Sequence, residues 1–328
     1  MHCFCTLFDR NYITRGLALY GSLARYCEDF TLYVLCLDQP TFDVLAALGL
    51  KSMELVSIED LEGRNREFRQ ARYDRSPVEF YLTCKPVLLN YLFDRNPKAG
   101  RISYLDSDLY FYSDPGVMLE ELGDCSVALT PHRFSARHIA LKVRGEFNAG
   151  WLSVGAEDEG RRFVQWWRVR CLEWCRLVVE ETRFGDQKYL DQVPLLFPNT
   201  RIVSNPGVNL APWNIGDVPV EMSGKGVEIA GRPLIFFHFH GTRRLLFNLH
   251  DSGLYEYGVK LTPAIRNGIY RPYLAELAAC ERQIQALPSP VRSSLVGDRA
   301  PAKVGTLPRQ LALAARAVVR KTAVLAVA

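Results

Sequence analysis

The chain has 328 residues, is 48% hydrophobic and 23% charged, and carries a formal net charge of +4. That composition excludes a disordered or fibrous protein and leaves enough apolar residues for a sizeable core. The charge is uneven: from Val291 onward the chain carries +6, which leaves −2 on everything before it. The body therefore lacks the basic face that duplex nucleic acid demands, and no nucleic acid is expected as a partner.

The opening MHCFCTLFDR enters a strand-like run at once, leaving no room for the successive regions of a secretory leader. No apolar run reaches the roughly 18 residues of a membrane span. The nine cysteines are odd in number and lack the paired spacing of a zinc site. They read as buried thiols in a reducing, cytoplasmic setting. HCFCTLF, a helical stretch from Tyr12 to Tyr26, TLYVLCL, FDVLAALGL and MELVSI then alternate in βαβαβ order. This order predicts an α/β fold with a mostly parallel central sheet, flanking helices and ligands at the carboxyl ends of the strands.

Val78 to Phe93 reads as another helix, and RISYL as a buried fourth strand. SVALT and FNAGWLSV follow as strands, RRFVQWWRVRCLEWCRLVV as a long amphipathic helix whose Trp and Phe residues pack the core, and PLIFFHFH as a late strand. After Leu287 the text turns Pro/Ser/Gly-rich, which predicts one large domain over 1–287, a linker over 288–308 and a basic helix or tail over 309–328. On a helical wheel Arg309, Arg316 and Arg320 share a stripe opposite Leu311, Val318 and Leu325. Such a tail fits peripheral contact with an anionic membrane, here its inner face, and fits a solvated tail equally.

The most informative stretch is YLDSDLYFYSDP, in which a buried strand ends in Asp106 and Asp108. Carboxylates there suffer desolvation unless a cation or basic side chain meets them. Strand alternation aims residues two apart to one side, so both acids can reach a single ion directly or through water.

With these residues the chain resembles the retaining GT-A glycosyltransferases of family 8, the group of glycogenin and bacterial lipopolysaccharide galactosyltransferases. Its Asp-x-Asp signature is matched by Asp106, Ser107 and Asp108. FNAG at Phe147–Gly150, GDQ at Gly185–Gln187 and HFHG at His238–Gly241 follow in the family's order. The resemblance covers about residues 2 to 250. It implies a GT-A, Rossmann-like fold and a metal-dependent transfer from a nucleoside-diphosphate sugar, commonly a UDP-sugar, with retention of configuration.

Residue by residue, the resemblance implies that Thr6, Asp9 and Tyr12 line the nucleoside pocket, that Lys85 lies near the donor, and that Asn148, Ala149, Gly150 and Gln187 meet the sugar. Asp186 would orient the sugar or stabilise charge at the anomeric carbon. Asp106, Asp108 and His238 would hold the metal, with manganese preferred to magnesium because an imidazole joins oxygen ligands. The family's Lys-Pro-Trp is replaced by TRRLLF, which puts Arg244 where the lysine stands. A sugar-nucleotide nucleotidyltransferase is the competing enzyme class, but the first strand runs into FDRNY with no glycine cluster to cradle a triphosphate. A nucleotide-sugar-binding protein without catalysis is the other alternative. The acceptor, whether saccharide, lipid-linked or protein, is not legible.

Overall fold

The computed structural model describes residues 1–224, 226–246, 248–295 and 307–326. The chain begins with β1 (His2–Phe8), α1 (Ile13–Tyr26), β2 (Phe30–Cys36), α2 (Gln39–Leu48) and β3 (Met53–Ser57), in the expected βαβαβ order. Three helices follow, the longest being Pro77–Arg95. Ser76 starts it with a reciprocal capping box to Glu79, and Pro77 sits where no intrahelical N–H is needed.

The chain then forms β4 (Arg101–Leu105), β5 (Leu109–Phe111), β6 (Val127–Pro131), β7 (Phe147–Gly155), the helix Asp158–Glu173 and β8 (Thr200–Ile202). The central sheet has seven strands in the order β3-β2-β1-β4-β7-β6-β8. β7 alone runs against its neighbours; the β1, β2, β3, β4 and the β6, β8 pairings are parallel. Both faces are covered. Phe4, Val34 and Leu105 turn to one core, and Cys5, Leu35, Tyr104 and Leu152 to the other. Strands buried on both sides read as continuous apolar runs, as these do.

Two elements differ from expectation. The Trp-rich helix ends at Glu173 and does not run on to Val179. Arg75 donates to the Leu172 carbonyl at 2.6 Å and the Tyr189 hydroxyl to the Trp174 carbonyl at 2.8 Å, so side chains take the place of the next helical turn. The C-terminal piece forms the helix Leu307–Val319, then turns at Lys321 with φ 57° into the strand Ala323–Leu325. That strand pairs with Leu249–Asp251 and buries Val324. Within the expected linker Ser289–Ser294 is helical, residues 307 and 308 belong to the terminal helix, and residues 296–306 lie outside the described residues.

All nine cysteines are buried and unpaired. Among the described residues no helix is long and apolar enough to cross a membrane. A cleft of about 860 Å³ opens at the carboxyl ends of β1 and β4, where a sheet of this class is expected to bind ligands.

Candidate active site

Asp106, Ser107 and Asp108 do not continue β4. They form the turn between β4 and β5, closed by the Leu109 N–H on the Asp106 carbonyl at 3.1 Å. The two carboxylates therefore converge through a turn and not through strand alternation. Strand Phe236–His238 pairs antiparallel with β5, setting His238 opposite Leu109. The Phe239 N–H donates to the Asp108 carbonyl at 2.9 Å and locks that register. His238 Nε2 then lies 3.1 Å from Asp108 Oδ1 and 3.9 Å from Asp106 Oδ2.

One ligand atom from each of Asp106, Asp108 and His238 lies within 4.8 Å of the other two. Burial raises the Asp108 carboxyl, but the His238 imidazole outweighs it and holds the group well below the usual carboxylate range. Burial lowers His238, and Asp108 followed by Asp106 lifts it above its ordinary value. Two carboxylates and an imidazole aimed at one point are a donor set that fits manganese or magnesium.

Gly150 makes the convergence possible. A Cβ there would stand 2.6 Å from Asn148 Oδ1, 2.6 Å from His238 Cε1 and 2.9 Å from Asp106 Oδ2. The space that a side chain would fill is occupied by the site's own groups.

Behind this cluster lies a buried charge relay. Lys85, deep in the helix Pro77–Arg95, places Nζ 3.0 Å from Asp106 Oδ1, 3.1 Å from Asp186 Oδ2 and 3.2 Å from the Ala149 carbonyl. Burial would lower the ammonium, but Asp106 and Asp186 outweigh it and hold it above the ordinary lysine range. Burial raises Asp186, Lys85 opposes the rise, and Asp106 adds to it. The 3₁₀ turn that follows, Lys188–Gln192, has Gln187 and not Asp186 at its N-cap position. Gly185, at φ 53°, turns the chain into Asp186, and Trp167 Nε1 fixes the Asp186 carbonyl at 2.9 Å.

Asp9, Tyr12, Lys85, Asp106, Ser107, Asp108, Asn148, Gly150, Asp186, Gln187 and His238 all line the cleft. Asp9 accepts from Tyr81 Oη at 3.1 Å and from Asn11 Nδ2 at 2.9 Å. Tyr12 is 43% exposed with Arg15 4.4 Å over its ring. Thr6 lies fully buried in β1, its hydroxyl without a hydrogen-bond partner among the described residues, and is not part of the lining. Ala149 contributes its carbonyl to Lys85. Arg244 lies outside the lining and is paired with Glu281 at 2.7 Å.

Two residues absent from the sequence reading complete the floor. His132 accepts Asn148 Nδ2 at Nε2, 3.3 Å away, and its Nδ1 lies 3.2 Å from the Glu146 carbonyl. That pattern assigns the proton to Nδ1, and burial pushes the imidazole down to about 4, so it stays neutral. Trp213 donates to the His132 carbonyl at 2.9 Å and meets the His238 ring edge-on at 5.2 Å. Neither lies in a recognisable motif; APWN shows only that Trp213 follows a proline.

No family model matches the chain. Two uncharacterized proteins of Bacillus subtilis strain 168 are similar to it. YfnF is 36% identical over 253 residues, spanning 75% of this chain and 83% of YfnF. YfnD is 32% identical over 289 residues, spanning 86% of this chain and 91% of YfnD. Among solved structures, the galactosyltransferase LgtC in complex with donor and acceptor sugar analogs superposes with a TM-score of 0.51 at 15% identity, over 88% of this chain and 99% of LgtC. At that identity the likeness shows the fold, which is that of the GT-A glycosyltransferases.

Proposed function

The chain belongs to the family of the Bacillus subtilis proteins YfnF and YfnD, and on that premise we propose that it is a metal-dependent glycosyltransferase of the family 8 type. It moves a sugar from a nucleoside-diphosphate sugar, a UDP-sugar by resemblance, to an acceptor with retention of configuration. The observation that carries this reading is the convergence of Asp106, Asp108 and His238 at the base of a cleft on a GT-A fold. That LgtC, of the same fold, was crystallised with donor and acceptor sugar analogs supports the donor class.

Asp106, Asp108 and His238 would hold a divalent cation, which would supply Lewis-acid stabilisation to a departing diphosphate. The imidazole among the donors favours manganese over magnesium. The chain's own residues do the rest. Asp186 and the Asn148 and Gln187 amides line the sugar end of the cleft and offer a carboxylate and two amides to hydroxyl groups. Lys85 bridges Asp106 and Asp186 and fixes both, so its role is to position acids and not to meet phosphate. Among the described residues each carboxylate of the cleft is engaged, Asp106 and Asp186 by Lys85, Asp108 by His238 and Asp9 by Tyr81 and Asn11, which favours attack by the acceptor on the face the diphosphate leaves.

Thermal shift with UDP-sugars, each with and without manganese, tests donor and metal together, because a ligand stabilises the native state by mass action. Donor turnover then separates an enzyme from a binding protein. Asp108→Asn removes a ligand charge at constant volume and is expected to abolish manganese-dependent donor turnover while the free protein still folds cooperatively. Equal turnover of variant and wild type at limiting manganese would refute the metal assignment. Donor-induced stabilisation without any turnover would instead favour a non-catalytic sugar-nucleotide-binding protein.

A further inference from the structure

Arg15 is the third residue of α1, the helix that begins just after β1 opens into the cleft. The first turn of that helix carries no acid and no side-chain cap. The arginine therefore sits at the positive end of the helix dipole with nothing local to offset it. No carboxylate stands within ion-pair distance of it among the described residues. Its one hydrogen bond crosses 227 positions of sequence, from Nη2 to the Thr242 carbonyl at 3.0 Å. The side chain is half-buried, with its guanidinium carbon 4.4 Å from the centre of the Tyr12 ring. A partly desolvated cation held against a helix dipole costs stability, and such departures from a local rule collect at functional sites.

The two partners of Arg15 fix its place. Tyr12 lines the cleft beside Asp9 and Asn11. Thr242 closes the turn that directly follows His238: its N–H donates to the Phe239 carbonyl at 3.2 Å, and the Phe239 N–H hangs that turn on the Asp108 carbonyl. Arg15 is also within electrostatic reach of Asp108. Burial raises that carboxyl, and Arg15 assists His238 and His240 in lowering it. The guanidinium thus borders the gap between the ring that would stack a base and the three residues that would hold a metal. A diphosphate joining the two has to cross this gap.

The other cations around the cleft are engaged or lie elsewhere. Lys85 is shared by Asp106 and Asp186, Arg10 is held by Asp38 at 2.7 Å, and Arg244 by Glu281 at 2.7 Å. Arg144 stands at the sugar end, its guanidinium carbon 5.7 Å from the Phe184 ring and its carbonyl bound by Gln187. An arginine has five N–H groups in a rigid fork, and Thr242 takes one of them. The rest of the fork suits phosphate oxygens, which a planar guanidinium meets two at a time.

We propose that Arg15 meets the diphosphate of the donor, keeping Thr242 on one N–H and offering the others to phosphate oxygens. This deepens the glycosyl-transfer reading and rests on its donor class. Because the same guanidinium holds the turn after His238, the phosphates and the metal-holding turn share one anchor. A nucleoside without phosphates gains nothing from it.

The test is isothermal titration of wild type, Arg15→Gln and Arg15→Lys with three probes: UDP with manganese, uridine with manganese, and inorganic pyrophosphate with magnesium. Glutamine keeps an N–H for the Thr242 carbonyl and removes the charge, whereas lysine keeps the charge and removes the fork. Arg15→Gln is expected to weaken UDP and pyrophosphate at least about tenfold and to leave uridine within about twofold. Arg15→Lys is expected to recover part of the loss, and added salt to narrow the gap between wild type and Arg15→Gln. Cooperative thermal unfolding of the free variants shows that they fold. Equal losses on UDP and uridine would make Arg15 a support for Tyr12 and overturn the proposal. Unchanged UDP and pyrophosphate binding in Arg15→Gln would overturn it as well. A wild type that binds pyrophosphate but neither UDP nor uridine would strike the uridine donor, and the pyrophosphate arm would then decide for or against Arg15. A wild type that binds none of the three would strike the donor reading and the proposal together.

Discussion

Lys85→Met should unfold the protein more readily even with no ligand present. The Lys85 side chain is 6% exposed, Asp186 3% and Asp106 25%. Removing one member of a buried ion pair strands the other charge and costs about 3–5 kcal/mol. Asp106 borders the cleft, so water can take up part of its charge, and the stranded Asp186 dominates. We therefore expect a loss near the lower bound, about 3 kcal/mol, read as a shift of the urea midpoint at constant slope. Adding Asp186→Asn removes the stranded charge, and the double variant should regain about 2 kcal/mol, a coupling within the range for contacting residues. If Lys85 served chiefly to meet a donor phosphate, its loss would weaken donor binding and leave the free protein stable. A loss below about 1 kcal/mol, or a double variant no more stable than Lys85→Met alone, would refute the positioning role.

Three further outcomes follow from the same geometry. His238→Ala should raise the manganese concentration needed for half-maximal donor turnover at least tenfold, about 1.4 kcal/mol of binding, while His240→Ala changes it little. The reverse order would move the ligand to His240, which also lines the cleft. Gly150→Ala should destabilise the protein by about 1–3 kcal/mol and weaken manganese binding, since its Cβ meets Asn148, His238 and Asp106 below 3.0 Å; isothermal titration with manganese unchanged from wild type would contradict the crowding argument. His132 binds fewer protons folded, where burial pushes it down to about 4, than unfolded, where it titrates near 6.5. Its contribution is therefore present at neutral pH and is lost as pH falls from roughly 6.5 toward 4, by roughly 3 kcal/mol in all. His132→Gln should flatten that part of a urea-midpoint profile, and an unchanged slope would show that the imidazole charges without penalty.

The fold was legible because local signals agreed with one another: short β-rich runs alternated with helical ones, and RISYL was apolar enough to be a central strand. What no single segment could reveal was the pairing of sequence-distant pieces. His238 reaches Asp108 only because Phe236–His238 pairs with β5, a strand of three residues that leaves no periodic signal. The Asp-x-Asp acids were found, but their geometry was misread, since a turn begins at Asp106 and strand alternation stops there. Lys85 was placed near the donor by resemblance alone; that its ammonium spans two acids depends on Pro77–Arg95 packing against β1 and β4, a packing fact. His132 lies just past the end of β6 and Asn148, 16 residues on, in the antiparallel β7, with a register shift between Leu129 and Thr130. A shift of one residue reverses which face a side chain takes, and β6 ends before His132, so alternation read from the sequence could not have predicted that His132 turns into the cleft. The site is thus assembled mainly from irregular joints, a turn, a bulge and a three-residue strand, held in place by a regular sheet. Periodicity describes the sheet and is silent about the joints.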